Sequence, residues 1–245
     1  MWYKTMANIQ PYTRQIPLLF TDILKQPHTL IAGSTGSGKS VLINGLIYTC
    51  LFDSPAQKQL VLIDPKRVEL IQYKPLPHTI AYASEQRDIK QLIDYCVRLM
   101  EYRYKIMQSQ FLKKSNDAEI YIFVDEFADL ITTQKREILK PLCRIAQLGR
   151  AANIHLILAT QRPTRDIIDG QIKVNIDSRI ALRVPTKQDS RNIINVSGAE
   201  LLPKYGQAFY LTSETMQPVL VDIPCIPEEE IASAIQYIHF VRNSR

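Results

Sequence analysis

Residues 33–40 read G-S-T-G-S-G-K-S, which fits the phosphate-binding loop pattern G-x-x-x-x-G-K-[ST]. No other stretch constrains the fold as tightly, because such a loop needs a buried strand before it and a helix N-terminus after it. Both flanks comply. The apolar run T-L-I-A, residues 29–32, precedes the loop. An apolar pattern of helical period follows over residues 41–52, and D-S-P then ends that helix. The glycines let the backbone turn N–H groups towards phosphate oxygens, and the helix N-terminus adds partial positive charge. The expected nucleotide-binding residues are Gly33, Ser34, Thr35, Gly36, Ser37, Gly38, Lys39, Ser40 and Val41. Lys39 is expected to reach the β- and γ-phosphates, and the Ser40 hydroxyl to hold Mg²⁺. The bland alternative is a Gly-Ser turn that ends by chance in Gly-Lys-Ser.

The remaining chain alternates in a way that suits the loop. Residues 59–64 (Q-L-V-L-I-D), 120–124 (I-Y-I-F-V), 154–159 (I-H-L-I-L-A) and 179–184 read as further strands. The most continuously apolar of these runs suit a parallel sheet covered on both faces. Helices are expected over 84–111, 134–152, 187–196 and 228–241, with a short one in the polar segment after residue 163. Ser84 is a candidate cap, Asn153 a left-handed one, and Glu228, Glu229 and Glu230 favour a helix start. Residues 209–211 and 219–221 read as short strands near the sheet edge. Residues 17–24 are an apolar lead-in, and residues 1–16 show no clear period, as in an arm or an edge strand. The fold class that follows is α/β, with a mainly parallel central sheet and helices on both faces. No repeat, low-complexity segment or linker interrupts it.

Charge and cysteine content narrow the setting. A net charge of +6 favours an anionic partner, although excess Lys and Arg can simply decorate a solvated face. No apolar run reaches the roughly 18 residues of a membrane span, and the N-terminus lacks a signal-peptide core, so a cytoplasmic location is expected. Cys50, Cys96, Cys143 and Cys225 are widely spaced and read as buried free thiols. The histidines have no metal-ligand spacing. The basic and aromatic helix tail E-Y-R-Y-K-I-M reads as readily as a solvated face as it does a ligand site.

Acids and amides at strand ends supply the chemistry, since nucleotides bind at the carboxyl ends of parallel strands. Asp125 would hold Mg²⁺ through water and Glu126 would polarise the attacking water, although an Asp-Glu pair there can also cap a helix. Gln161 would sense the γ-phosphate or position water, or is an ordinary turn glutamine. Arg150, ahead of the strand at 154–159, would neutralise charge in a neighbouring subunit's site, or it complements a helix dipole. Then Arg162, Arg165, Lys173, Arg179, Arg183, Lys187 and Arg191 outnumber Asp166, Asp169, Asp177 and Asp189 in a window free of aromatic residues. That composition favours tracking a duplex backbone over stacking on single-stranded bases.

Several segments occur together and in order: H-T-L-I-A-G-S-T-G-S-G-K-S, I-D-P-K-R-V-E-L, M-E-Y-R-Y-K-I-M, I-F-V-D-E-F-A-D-L, R-A-A-N-I-H-L-I-L-A-T-Q-R-P, I-K-V-N-I-D-S-R-I-A-L-R-V, K-Q-D-S-R-N-I-I and G-A-E-L-L. Over residues 21–225 the chain resembles the motor domain of the FtsK/SpoIIIE family of hexameric double-stranded DNA translocases. The resemblance implies a RecA-like P-loop NTPase fold over 21–245 behind an N-terminal arm, residues 1–20. It implies ATP and Mg²⁺ as cofactors, with Lys39 and Ser40 as ligands and Asp125 and Glu126 as the magnesium and hydrolysis pair. Arg150 matches the family's trans-acting finger, and Arg162, Lys173, Lys187 and Arg191 match positions that face DNA in the ring. Asn153 stands where the family often has Gly. The short lead-in and the lack of room for a C-terminal winged helix lead to the expectation of a minimal motor serving a plasmid, phage or other mobile element.

The leading expectation is therefore a DNA-stimulated ATPase acting as a homo-oligomeric ring on double-stranded DNA. A conjugation or secretion ATPase moving protein or nucleoprotein cargo is the second reading. A nucleotide-gated loader module is the third.

Overall fold

The structure is a computed structural model, and it describes residues 16–168 and 170–243. Residues 1–15, which make up most of the expected N-terminal arm, lie outside the described residues. The described residues form one eight-stranded sheet. Its strands are β1 (His28–Ala32), β2 (Lys58–Ile63), β3 (Thr79–Ala83), β4 (Glu119–Val124), β5 (Ile154–Thr160), β6 (Ser178–Ala181), β7 (Gln207–Leu211) and β8 (Val219–Asp222), in the order β3-β2-β4-β5-β1-β6-β7-β8. The strands from β3 to β6 pair in parallel, and β7 and β8 pair antiparallel at one edge.

Alternation along the strands divides the core into two layers. On β4, Ile120, Ile122 and Val124 face one layer, and Tyr121 and Phe123 the other. The first layer is filled by α3 (Gln86–Ser109), α4 (Phe127–Leu148), α5 (Gly170–Asn175) and α6 (Lys187–Ile194). The second is filled by α1 (Leu18–Lys25), α2 (Lys39–Cys50) and α7 (Glu228–Asn243). Helix α2 is buried on nearly every side, which explains why it is apolar throughout rather than striped.

The differences from the sequence reading have local causes. The lead-in at 17–24 is helix α1, and the expected arm boundary at residue 20 falls inside it. Phe20 packs so closely on α2 that a Cβ at Gly45 would lie 2.4 Å from its ring. Strand β3 escaped notice because it is an edge strand of mixed exposure, without a continuous apolar run. Helix α4 starts at Phe127, straight after the acids, and breaks helical geometry at Gln134 (φ −141°, ψ 33°), so the periodic pattern is clean only beyond that point. Ser84 does not cap α3: its N-cap is Glu85, which makes no capping bond. Cys50, Cys96 and Cys143 are buried as expected, whereas Cys225 is exposed. No helix among the described residues is long and apolar enough to cross a membrane.

Candidate functional site

The loop at 33–40 leaves the carboxyl end of β1, the strand between β5 and β6. Its first residues are fixed on both sides. Gly33 N–H donates to Thr160 O (3.2 Å) and Ser34 N–H to Arg183 O (2.9 Å). Gly36 and Gly38 have φ of 73° and 92°, a region that side chains disfavour. A Cβ on Gly33 would lie 2.4 Å from Ser37 Oγ, so glycine is needed there for closeness rather than for its dihedral. Ser37 Oγ is buried without a hydrogen-bond partner among the described residues. A buried hydroxyl left unpaired inside a glycine-built loop fits a cradle that an anionic oxygen would complete.

Lys39 opens α2 and is 4% exposed. Its ammonium donates to the Asp125 carboxylate (2.7 Å) and to the Asp125 carbonyl (2.6 Å). Asp125 is 1% exposed, so the pair is sealed from water and each charge depends on the other. Ser40 is in the first turn of α2, and Val41 is exposed beside it. Ser40 and Asp125 suit Mg²⁺, which takes one or two protein oxygens and completes its shell with phosphate and water. No cluster of three or more His, Cys, Asp or Glu exists among the described residues, and a magnesium site of this kind does not need one.

Glu126 is 2% exposed and is held by three donors. Thr160 Oγ1 donates to Oε1 (2.8 Å), Gln161 N–H reaches both oxygens (3.1 and 3.2 Å), and Lys66 Nζ lies 3.3 Å from Oε2. The Gln161 side chain turns the other way and accepts from Thr35 Oγ1 (2.9 Å) in the phosphate loop. The structure thus brings together the loop, Lys39, Asp125, Glu126 and Gln161 at the carboxyl ends of β1, β4 and β5. Thr160, Lys66 and the buried Asp64 were not assigned roles from the sequence. Their segments, L-A-T-Q-R-P and I-D-P-K-R-V-E-L, stood out only as family motifs.

Arg150 lies elsewhere. It sits in the turn between α4 and β5, at the amino end of the sheet and therefore on the opposite side from the loop of its own chain. The turn is fixed from several directions. Buried Arg103 donates to the carbonyls of Ala152 and Asn153 (2.7 and 3.2 Å), and Tyr104 OH donates to Leu148 O. Asn153 adopts φ 54° and its amide donates to Ser115 O and Asp117 O. A Cβ on Gly149 would meet Ile154 O at 2.4 Å. The tail of α3 is therefore partly structural rather than a solvated face. Arg150 itself is exposed and lines two adjoining cavities of about 800 and 570 Å³.

The basic series divides. Lys187 and Arg191 are exposed one turn apart on α6, and Asn192 of that helix donates to Pro163 O (3.0 Å), tying it to the segment that carries exposed Arg162. Glu200 stands near both cations. Its carboxyl is held below the ordinary range, first by the Gly198 N–H and then by Lys187 and Arg191. Lys173 is half-buried on α5, ahead of β6. Burial, then Arg179 and Arg165, lowers its ammonium pKa. Arg179 is buried and spends its guanidinium on the carbonyls of Ile176 and Lys173, so it is unavailable to a polyanion.

The sequence pattern of the FtsK/SpoIIIE family matches residues 16–122 and 112–165. The chain belongs to that family. It is 37% identical over 255 residues to a DNA translocase FtsK of Pseudomonas syringae pv. tomato, covering 89% of this chain and 32% of that one. It is 39% identical to the DNA translocase FtsK of Chlorobaculum tepidum, covering 90% and 30%. The chain spans about a third of the length of these relatives. Among solved structures, the monomer form of the pCW3 conjugation coupling protein TcpA with ATPγS superposes with a TM-score of 0.79 at 24% identity, over 90% of this chain and 66% of that one. The cytoplasmic domain of the Thermomonospora curvata type VII secretion ATPase EccC gives 0.75 at 24% identity, over 86% and 28%. The fold is the RecA-like P-loop fold.

Proposed function

We propose that this chain is the motor of an ATP-dependent double-stranded DNA translocase that works as a homo-oligomeric ring, with six subunits as in the family. The observation that carries the reading is the placement of Arg150. It is exposed and rigidly presented, at the end of the sheet opposite the phosphate loop, so only a second copy's nucleotide lies within its use. Family membership supports the cargo, since the FtsK relatives are DNA translocases.

In this reading a triphosphate draws Lys39 away from Asp125, and Ser40 with the freed Asp125 carboxylate would hold Mg²⁺. The metal supplies charge neutralisation at the phosphates. Glu126 takes a proton from the attacking water, and Gln161, already bonded to Thr35, reports the γ-phosphate. Arg150 of the adjacent subunit offsets charge as the γ-phosphate leaves. Arg162, Lys187 and Arg191 contact phosphates of the duplex. Lys173 contributes only if α5 is exposed further in the ring.

The test is a steady-state ATPase assay with Mg²⁺ and linear duplex. Duplex DNA is expected to stimulate turnover, and Glu126→Gln to bind ATP while losing about 10²–10⁴-fold in kcat. Absence of stimulation at modest salt would remove DNA as the cargo. The likeness to a conjugation coupling protein and a secretion ATPase keeps protein or nucleoprotein cargo as the second reading. Alanine at Arg162, Lys187 and Arg191 that spares DNA binding would favour it.

A further inference from the structure

We propose that Lys66 is a positioning residue for Glu126, holding the carboxylate in the orientation from which it addresses the attacking water. The inference rests on the reading of Glu126 as general base. Among the described residues, Thr160 and Gln161 bind this carboxylate from the end of β5, and both are neutral donors. Lys66 alone approaches from the β2 side, and it alone brings a formal charge. A carboxylate anchored on one side can pivot about that anchor. A second contact to Oε2 from the opposite side fixes its plane, and here the donor adds a charge opposite to that of the carboxylate. General-base catalysis depends on that alignment more steeply than binding does.

Lys66 is not an arbitrary surface lysine near an acid. Its loop is built by Asp64, which is fully buried and directs both oxygens at the loop's own backbone: Oδ1 accepts from Arg67 N (2.8 Å) and Oδ2 from Leu70 N (3.0 Å). Arg67 takes a left-handed φ of 60° to complete the turn, and its side chain pairs away with Glu85. Leu70 and Tyr73 are buried behind it, and Tyr73 OH donates to Asn44 on α2 (2.9 Å). The backbone that carries Lys66 is thereby fixed, while the side chain stays 41% exposed and avoids the cost of a sealed ion pair. The contacts Thr35–Gln161–Glu126–Lys66 join β1, β5, β4 and β2, which are neighbours in that order in the sheet.

The experiment compares Lys66→Met and Lys66→Arg with the parent in the full chain, reading kcat and KM for ATP with duplex DNA. Hydrogen exchange at the Gln161 amide is read in nucleotide-free protein. Lys66→Met is expected to lower kcat about tenfold with KM within about twofold, a fraction of what the base itself supplies. Exchange at Gln161 should rise several-fold, because its acceptor is no longer held, and Lys66→Arg should recover most of both effects. An unchanged or raised kcat, a loss confined to KM, unchanged exchange at Gln161, or an arginine variant no better than methionine overturns the proposal. Glu126→Gln run alongside separates the two claims. If it turns over at the parent rate, the reading of Glu126 fails. If it is inactive while Lys66→Met is normal, Lys66 alone is wrongly placed.

Discussion

The two ends of the central sheet are built to opposite designs. At the carboxyl end the charged side chains satisfy one another: Lys39 on Asp125, Lys66 on Glu126, and Gln161 between Thr35 and Glu126. At the amino end a rigid turn holds Arg150 out between two cavities. Buried histidines stand nearby, and Nε2 of both His28 and His155 has no hydrogen-bond partner among the described residues. One end closes on itself through lysine–carboxylate contacts. The other leaves an exposed guanidinium beside open cavities. In the proposed ring the second kind of surface would lie against the first, which would join fuel use to contact between neighbours.

The sharpest way to break that contrast is at Arg150. Arg150→Ala is expected to cost about 10³–10⁵-fold in kcat, the worth of an arginine finger, with ATP affinity retained. Mixing that variant with Lys39→Ala protomers should restore part of the activity, because one of the two orientations of a mixed interface pairs an intact loop with an intact finger. A mixture that stays inactive would leave the amino end without its assigned role.

The carboxyl end can be tested without any turnover. Lys39→Met strands the Asp125 carboxylate, which is 1% exposed. Denaturant unfolding of the nucleotide-free protein should then show a loss of about 3–5 kcal/mol. Adding Asp125→Asn should return much of it. If the single variant is as stable as the parent, the Lys39–Asp125 pair is not what closes this end.

A smaller effect is expected on the outer surface of the carboxyl end. Lys187→Ala and Arg191→Ala should each weaken duplex binding several-fold and lower the slope of log affinity against log salt by about 1. A fluorescence titration over a salt series measures it. Unchanged slopes would move the DNA path off α6.

The smallest concerns the amino end. Burial, and next the neighbouring His155, lowers the His28 pKa to about 3. The unfolded chain takes up its proton near pH 6.5 and the folded chain does not, so stability is unaffected above that pH and declines as pH falls towards 3. The loss from this residue should be about 1.4 kcal/mol by about pH 5.5. His28→Asn, which keeps an acceptor for the Leu156 N–H, should flatten that part of a pH series of unfolding midpoints.

Much of the carboxyl end could be read from sequence because it is local. A loop, the strand before it and the helix after it lie within one short segment, and the acids at 125 and 126 directly follow their strand. Thr160, Lys66 and Asp64 could not be read this way. Their work is done across strands whose adjacency β2-β4-β5-β1 does not follow chain order. The basic series shows the same limit: Arg162, Lys187 and Arg191 are exposed, whereas Arg179, equally basic on paper, is used up on backbone carbonyls.

By itself the sequence determined the sheet's buried strands, the glycine-built loop and the chemical kinds of residue available to it. Side-chain period and backbone dihedral preference act over a few residues, and they leave their mark in order. Only the tertiary structure decided which lysine meets which carboxylate, and that Arg150 faces away from its own nucleotide loop. Those outcomes depend on strand order and on which polar atoms are left without water, and both arise only when distant segments pack together.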